Sequence, residues 1–483
     1  MNFSNKEDIK KLLIGIVEVV SEKEITIIDE AKLRDELIDR IVFEATFNPD
    51  KEVVDLCRQL IKNISAKKGI SLNSVYAYYK KKAKDNRKVT IPAINVRGMA
   101  YNTARAIFEA AKKDNVTSLI LEIAKSEIDY TSQRPAEFTA SILAAAIKED
   151  YQHPIFLQGD HFQINANKYK ENPEKEREKI KELIHEAIKA GLYQIDLDMS
   201  TLVDWTQKDY DNQQNTNYRE TALLTAHVRE LEREAGLDKL NITINLGGEI
   251  GEIGKGIQGR NSTVEDLRAF MKGYLEELDR LSKEKGYQLG GITKIAVQSG
   301  TQHGGIRDEK GNLIKGVKVS FNTLAELGKV AREEYSLAGV VQHGASTLDP
   351  RCFVLFAGHP SPKGFEISEE LLTEENAKIL SENPAAEVHL ATAYQDTILD
   401  HPSFPKDLAE KIKKWVIENF PPKEGEDIEK AYINNRKNAW GNFKFDLWSL
   451  PSEIQDAIRK TLVQQFSEDV FENLGVKGSN FFE

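Results

Sequence analysis

Eight short β-branched runs, amphipathic helical patterns between them, and the near-continuous apolar character of the runs together predict an α/β fold. The specific expectation is a (β/α)8 TIM barrel with N-terminal and C-terminal helical extensions. Parallel strands covered by helices bury both faces, so they read as unbroken apolar runs rather than as alternating ones. Eight such units over about 310 residues suit a closed barrel better than an open sheet, whose strands are usually fewer. The expected organisation is an extension over 1–87, the barrel over 88–401 and a second extension over 402–483.

The elements follow in chain order. Before Lys88 the pattern is helical and charged. Leu12, Leu13, Ile16, Val19 and Val20 form one apolar stripe, Val53, Val54, Leu56, Leu60 and Ile61 another, and a basic stretch begins at Asn73. No strand signal is expected there. The barrel strands are expected at Val89–Val96, Ser118–Ala124, Pro154–Gly159, Gln194–Asp198, Asn241–Leu246, Lys294–Gln298, Ala338–Gln342 and Glu387–Ala391. Between them Tyr101–Lys113, Glu137–Lys148, Glu174–Ala190 and Val264–Lys285 repeat apolar residues at helical spacing. Beyond Pro402 the strands stop, and Leu408–Phe420, Ile428–Asn438 and Ser452–Asn473 read as helices. Trp440, Phe443, Phe445 and Trp448 interleave with polar residues, a pattern expected in core packing or an oligomer contact.

Composition removes several function classes. The chain has 483 residues, 40% of them hydrophobic, which is ample for a large core and excludes global disorder. A net charge of −11 without basic runs argues against nucleic-acid or anionic-membrane partners, which require clustered Lys and Arg. The two cysteines, Cys57 and Cys352, make no disulfide framework or metal pair. The first residues lack signal-peptide character, and no apolar run reaches the ~18 residues of a membrane helix. A cytoplasmic protein is expected.

In such a barrel, chemistry lies at the carboxyl ends of the strands. Those positions hold Asn95, Ala124 with Lys125, Asp160 with His161, Asp198, Glu249, His303, His343 and Thr392. Three of the nine histidines, His161, His303 and His343, therefore follow three different strands, with Asp198 and Glu249 on the same rim. Three imidazoles converging from separate strands suit a divalent transition ion such as zinc with an open position for substrate. Histidines beside glycine also serve as ordinary turn residues, so spacing alone leaves both readings open. His153, His185, His227, His359 and His401 have no special placement. The glycine-rich stretches after strands six and seven place backbone N–H groups where a phosphate could be held, and the long glycine-rich loop after strand five has the composition of an active-site loop.

Six segments in register carry a resemblance. They are Pro92-Ala-Ile-Asn-Val, Gln158-Gly-Asp-His, Ile195-Asp-Leu-Asp-Met-Ser, Gly248-Glu-Ile-Gly-Glu-Ile-Gly, Ser299-Gly-Thr-Gln-His-Gly and Val341-Gln-His-Gly-Ala-Ser. Their order resembles the class II, metal-dependent fructose-bisphosphate or ketose-bisphosphate aldolases over roughly 88–399. The resemblance implies a zinc-dependent lyase that makes or breaks the C3–C4 bond of a ketose (bis)phosphate such as fructose 1,6-bisphosphate, passing through a metal-bound enediolate of dihydroxyacetone phosphate. It implies His161, His303 and His343 as zinc ligands, with Glu249 and Asp198 at an alternate divalent position, and Asp160 as the acid/base at the C4 hydroxyl. Asn95, Gly304, Arg307, Gly344, Ser346 and Thr392 would bind substrate and its phosphate, Arg307 standing where lysine is common. A monovalent cation, a sugar-phosphate substrate and a homo-oligomer are further implications.

Two departures narrow that expectation. The paired acids that usually end the loop after strand five are replaced by Lys255, Gly256 and Ile257, with Glu252 the nearest carboxylate. The eighth strand ends His389-Leu-Ala-Thr392 where the family has Asn-x-Asp-Thr, and Ala124 replaces a usual serine. These changes keep two alternatives in view. One is a zinc-dependent sugar epimerase, or an aldolase for another ketose. The other is a non-catalytic companion subunit, because Glu122-Ile-Ala-Lys-Ser-Glu-Ile-Asp-Tyr-Thr resembles the companion of tagatose-bisphosphate aldolase.

Overall fold

The computed structural model describes residues 6–21, 24–85, 88–251, 260–300 and 319–480. Eight parallel strands close into a barrel: β1 (Ile91–Asn95), β2 (Ile120–Ala124), β3 (Ile155–Gln163), β4 (Gln194–Asp198), β5 (Asn245–Glu249), β6 (Lys294–Ala296), β7 (Val340–Gln342) and β8 (Glu387–Leu390). Each pairs in parallel with its successor, and β8 pairs with β1, so the sheet has no open edge within the ring. The sheet has this form because its residues are buried on both sides, as the apolar runs require. Helices such as Ala100–Lys113, Pro135–Glu149 and Val264–Lys285 cover the outside.

The expected (β/α)8 barrel is therefore the observed fold, with local shifts. Strand β5 begins at Asn245 rather than Asn241, because Asn241 sits at φ +55° and closes a short turn over Leu237–Leu240. In the N-terminal region strands do occur, against expectation. Helix Lys6–Leu13 stops ahead of Gly15, at φ +75°, and Val17–Val19 pairs antiparallel with Ile25–Ile27. The alternating valines and isoleucines there favour extended backbone over one more helical turn. A further short strand, Leu72–Asn73, adds in parallel to β3.

Both extensions pack on the barrel. Helices Ile38–Phe47 and Lys51–Lys67 lie on the barrel helix Pro135–Glu149. The next helix, Tyr76–Asp85, buries Tyr79, whose hydroxyl donates to Glu387 inside the barrel. At the other end, Ser452–Gln465 packs along Ala100–Lys113. The aromatic stripe is mostly an internal contact, with Phe445 its exposed member. Trp440 and Phe443 are buried, and Trp448 stacks on Tyr101 at 5.6 Å and meets Phe47 edge-on at 5.3 Å. Phe445 touches the same Phe47 at 5.4 Å, so the two extensions meet each other over aromatic rings.

Inside the ring, inward side chains form a polar layer. Lys294 Nζ lies 2.5 Å from Glu387 Oε2 and 2.8 Å from Asp196 Oδ1, and donates to Gln158 Oε1 at 2.8 Å. This layer forms a floor beneath the carboxyl-end rim.

Candidate active site

The rim is organised around the end of β3. Gly159 is held there by space, since a Cβ would lie 2.4 Å from the Phe162 ring. The β3–β4 register shifts between Gly159 and Phe162, and His161 adopts φ +45°, a conformation few non-glycine residues take. Such strain persists where the surrounding structure enforces it, commonly at functional sites. The bulge turns Asp160 and His161 together toward the barrel axis.

His161 is oriented by two carboxylates. Its Nδ1 lies 2.9 Å from Asp198 Oδ2 and 3.2 Å from Glu249 Oε2, leaving Nε2 on the side of Asp160, 3.9 Å from Oδ1. Asp198 also accepts from the Ser200 amide at 3.0 Å and from Gln163 Nε2 at 2.6 Å. From β7, His343 brings Nδ1 to 3.9 Å from the same Asp160 oxygen, and its ring centroid lies 4.3 Å from that of His161. Asp160, His161 and His343 thus offer ligand atoms all within 4.8 Å of one another, as do His161, Asp198 and Glu249.

The electrostatics suit a cation. Burial would raise the Asp160 carboxyl, yet the His161, His389 and His343 rings hold it well below the usual range, so it is ionised. Burial pushes Glu249 up to about 7, aided by the Asp198 charge and opposed by His161. For His161 burial disfavours charge, but Asp160, Glu249 and Asp198 prevail and favour a proton on the ring. The field that favours a proton here equally favours a metal cation, and imidazole with carboxylate is a suitable donor set.

The remaining predicted residues divide into those beside this cluster and those outside the described residues. Asn95 Nδ2 donates to Asp160 Oδ2 and to Glu127 Oε2, each at 3.1 Å, so in this geometry it holds the acid/base candidate. Gly344, at φ +72°, opens the short turn Ala345–Thr347, where Ser346 Oγ accepts from the Ala391 amide at 3.1 Å. Thr392 begins the helix after β8. His303, Gly304 and Arg307 lie outside the described residues, as do Glu252, Lys255, Gly256 and Ile257.

Sequence reasoning missed two members of the rim. His389, on β8, is buried with its ring centroid 4.1 Å from that of His343. Its Nδ1 lies 3.0 Å from Glu122 Oε1 and 3.5 Å from Asp160 Oδ1. The signal was present as charged residues inside apolar strands, Glu122 in ILEIA and the Glu387/His389 pair in EVHL, spaced by two and so sharing the inward face.

The family described as Fructose-bisphosphate aldolase class-II matches residues 76–369, more than half of the chain. No curated protein matches the sequence. Among solved structures, a probable tagatose 6 phosphate kinase from Sinorhizobium meliloti 1021 is 14% identical, with a TM-score of 0.51 over 80% of this chain and 100% of that one. A fructose-bisphosphate aldolase from Campylobacter jejuni is 16% identical, with a TM-score of 0.44 over 85% and 96%. The fructuronate-tagaturonate epimerase of Cohnella laeviribosi is 10% identical, with a TM-score of 0.47 over 86% and 86%. Likeness at these identities concerns the fold. The family match covers the first seven strands and the rim residues on them, and on that ground the chain belongs to the class II fructose-bisphosphate aldolase family, metal-dependent carbon–carbon lyases.

Proposed function

We propose that the protein is a zinc-dependent aldolase that cleaves or forms the C3–C4 bond of a ketose (bis)phosphate, with fructose 1,6-bisphosphate the first substrate to test. The observation that carries this reading is the meeting of Asp160 and His161 from β3 with His343 from the end of β7, with Asp160 Oδ1 aimed among the rings. His161 and His343 would hold the ion, joined by His303. A divalent ion bound there supplies a sink for the electrons left at C3 when the bond breaks.

The chain's own groups do the rest. Asp160, ionised and fixed through Oδ2 by Asn95, accepts the proton of the C4 hydroxyl. Asp198 and Glu249 fix the orientation of His161, so that Nε2 and not Nδ1 faces the site. Gly344 and Ser346 lie at a turn suited to one substrate phosphate, with Arg307 as its cation.

The test is exchange of the dihydroxyacetone phosphate C3 proton into deuterated water, followed by NMR with and without chelator. Chelator-sensitive exchange is the expected result, and no exchange from zinc-loaded protein overturns the reading. His343→Ala should lose most of the bound metal, and full retention would remove His343 from the ligand set. A second reading, an epimerase or an aldolase for another ketose, is favoured by His389 standing where the family has asparagine. The same exchange with a panel of ketoses separates the two, and silence with every ketose would leave the companion-subunit role.

A further inference from the structure

Three buried atoms on the rim converge without hydrogen-bonding one another. They are Glu122 Oε1, Asp160 Oδ1 and His389 Nδ1, contributed by β2, β3 and β8. The imidazole nitrogen is 3.0 Å from the glutamate oxygen and 3.5 Å from the aspartate oxygen, and the three lie within 4.8 Å of one another. An oxygen 3.0 Å from a ring nitrogen and yet not hydrogen-bonded to it lies off the direction in which that nitrogen points. Two ligands of one ion have this relation. Each aims at a common centre ~2.0–2.2 Å away, so neighbouring donors stand ~3–3.5 Å apart and off each other's axis.

The far side of each residue is tied down. His389 Nε2 lies 2.9 Å from Glu387 Oε2, and Glu387 is itself fixed by Lys294 and Tyr79. Glu122 Oε2 accepts from Gln158 Nε2 at 2.7 Å, and Asp160 Oδ2 from Asn95 at 3.1 Å. Thus one atom of each side chain is anchored and the other is aimed at the shared point. His389 repeats the arrangement of His161, where one ring nitrogen meets a carboxylate and the other faces Asp160. A carboxylate on the outer nitrogen is the usual partner of a metal-binding histidine. Charge argues the same way, because the Lys294 ammonium is taken up by Asp196 and Glu387, while Glu122 and Asp160 are buried together beside His389.

We propose that Glu122, Asp160 and His389 form a second divalent-cation site, sharing Asp160 with the His161–His343 cluster. Two carboxylates and one imidazole suit a borderline ion such as Zn2+ or Mn2+. The site differs from the Asp198–Glu249 position and does not depend on which sugar the protein uses.

The test is a count. Metal-stripped protein is reloaded with Mn2+ or Zn2+, and ions per chain are measured by mass spectrometry for the parent, Glu122→Gln, His389→Gln and Asp198→Asn. The parent should hold one more ion per chain than Glu122→Gln and than His389→Gln. Mn2+-loaded parent should give a spin-coupled paramagnetic resonance signal that both variants replace with that of isolated ions. Equal counts in parent and both variants would overturn the proposal, as would an additional ion lost in Asp198→Asn but kept in the other two. If Glu122→Gln does not fold, His389→Gln decides alone. No substrate enters the experiment, so its failure is distinct from failure of the aldolase reading.

Discussion

The barrel encloses two polar clusters that differ in how their charges are met, although Asp196 Oδ1 on the floor also lacks a hydrogen bond. On the floor, Lys294 reaches Gln158, Asp196 and Glu387, and Tyr79 caps the same glutamate from outside the ring. At the rim, Glu122 Oε1, Asp160 Oδ1 and His389 Nδ1 are as deeply buried but make no hydrogen bond. An unsatisfied buried polar group costs ~1–3 kcal/mol, so a fold retains several together only where something else uses them. The floor is built to hold the strands together. The rim is built to receive charge.

Breaking the rim at its centre should have the largest effect. Asp160→Ala is expected to lower C–C cleavage by ~10²–10⁴ with the circular dichroism spectrum of the parent retained, and unchanged turnover would remove Asp160 from the chemistry. On the floor, Lys294→Met leaves Asp196 and Glu387 without their countercharge. A loss of ~3–5 kcal/mol is expected from urea unfolding, and an unchanged midpoint would show that the floor does not carry stability. Tyr79→Phe removes one hydrogen bond to a buried carboxylate and should cost ~1–3 kcal/mol without changing metal content. Weakened metal binding in that variant would show that floor and rim act as one unit.

The smallest effect is a pH dependence below the floor. Burial, reinforced by Arg332, holds the Lys82 ammonium down to about 7 from 10.5. Between those values the unfolded chain takes up a proton that the folded chain refuses, so stability falls as pH drops through the window. Lys82→Met should therefore raise the melting temperature at pH 7, offset in part by loss of the bond to the Val89 carbonyl, and the gain should shrink toward pH 10. A gain independent of pH would assign the effect to packing.

The eight barrel strands were legible because each lies in a short apolar run buried on both faces, and the boundary errors fell at turns such as Asn241, where a left-handed residue delays the start of the strand. The hairpin at Val17–Ile27 was not legible, since the apolar residues of helix and strand merge into one stripe and only Gly15 divides them. At the rim, candidates at strand ends could be named because topology puts chemistry there. Glu122 and His389 escaped because they sit inside strands, where a charged residue declares its role only once the partner strands are known. Nothing in the sequence signalled that the Asn95 amide bonds Asp160 and Glu127.

Tyr79 also bears on how the chain comes together. It is separated from Glu387 by 308 residues, so synthesis completes the helix that carries the phenol long before the strand that carries the carboxylate exists. Contacts of such long range form late, after the loop-closure entropy of the intervening chain has been overcome. Until then the phenol lacks its carboxylate, although Ile91, Ala93, Ile120 and Phe156 already offer the helix an apolar surface. A fragment cut at Lys88 would keep all eight strands and still lack the group that seals them. The polar floor of the barrel is thus completed by a helix upstream of Lys88, within what the sequence marks off as an appendage.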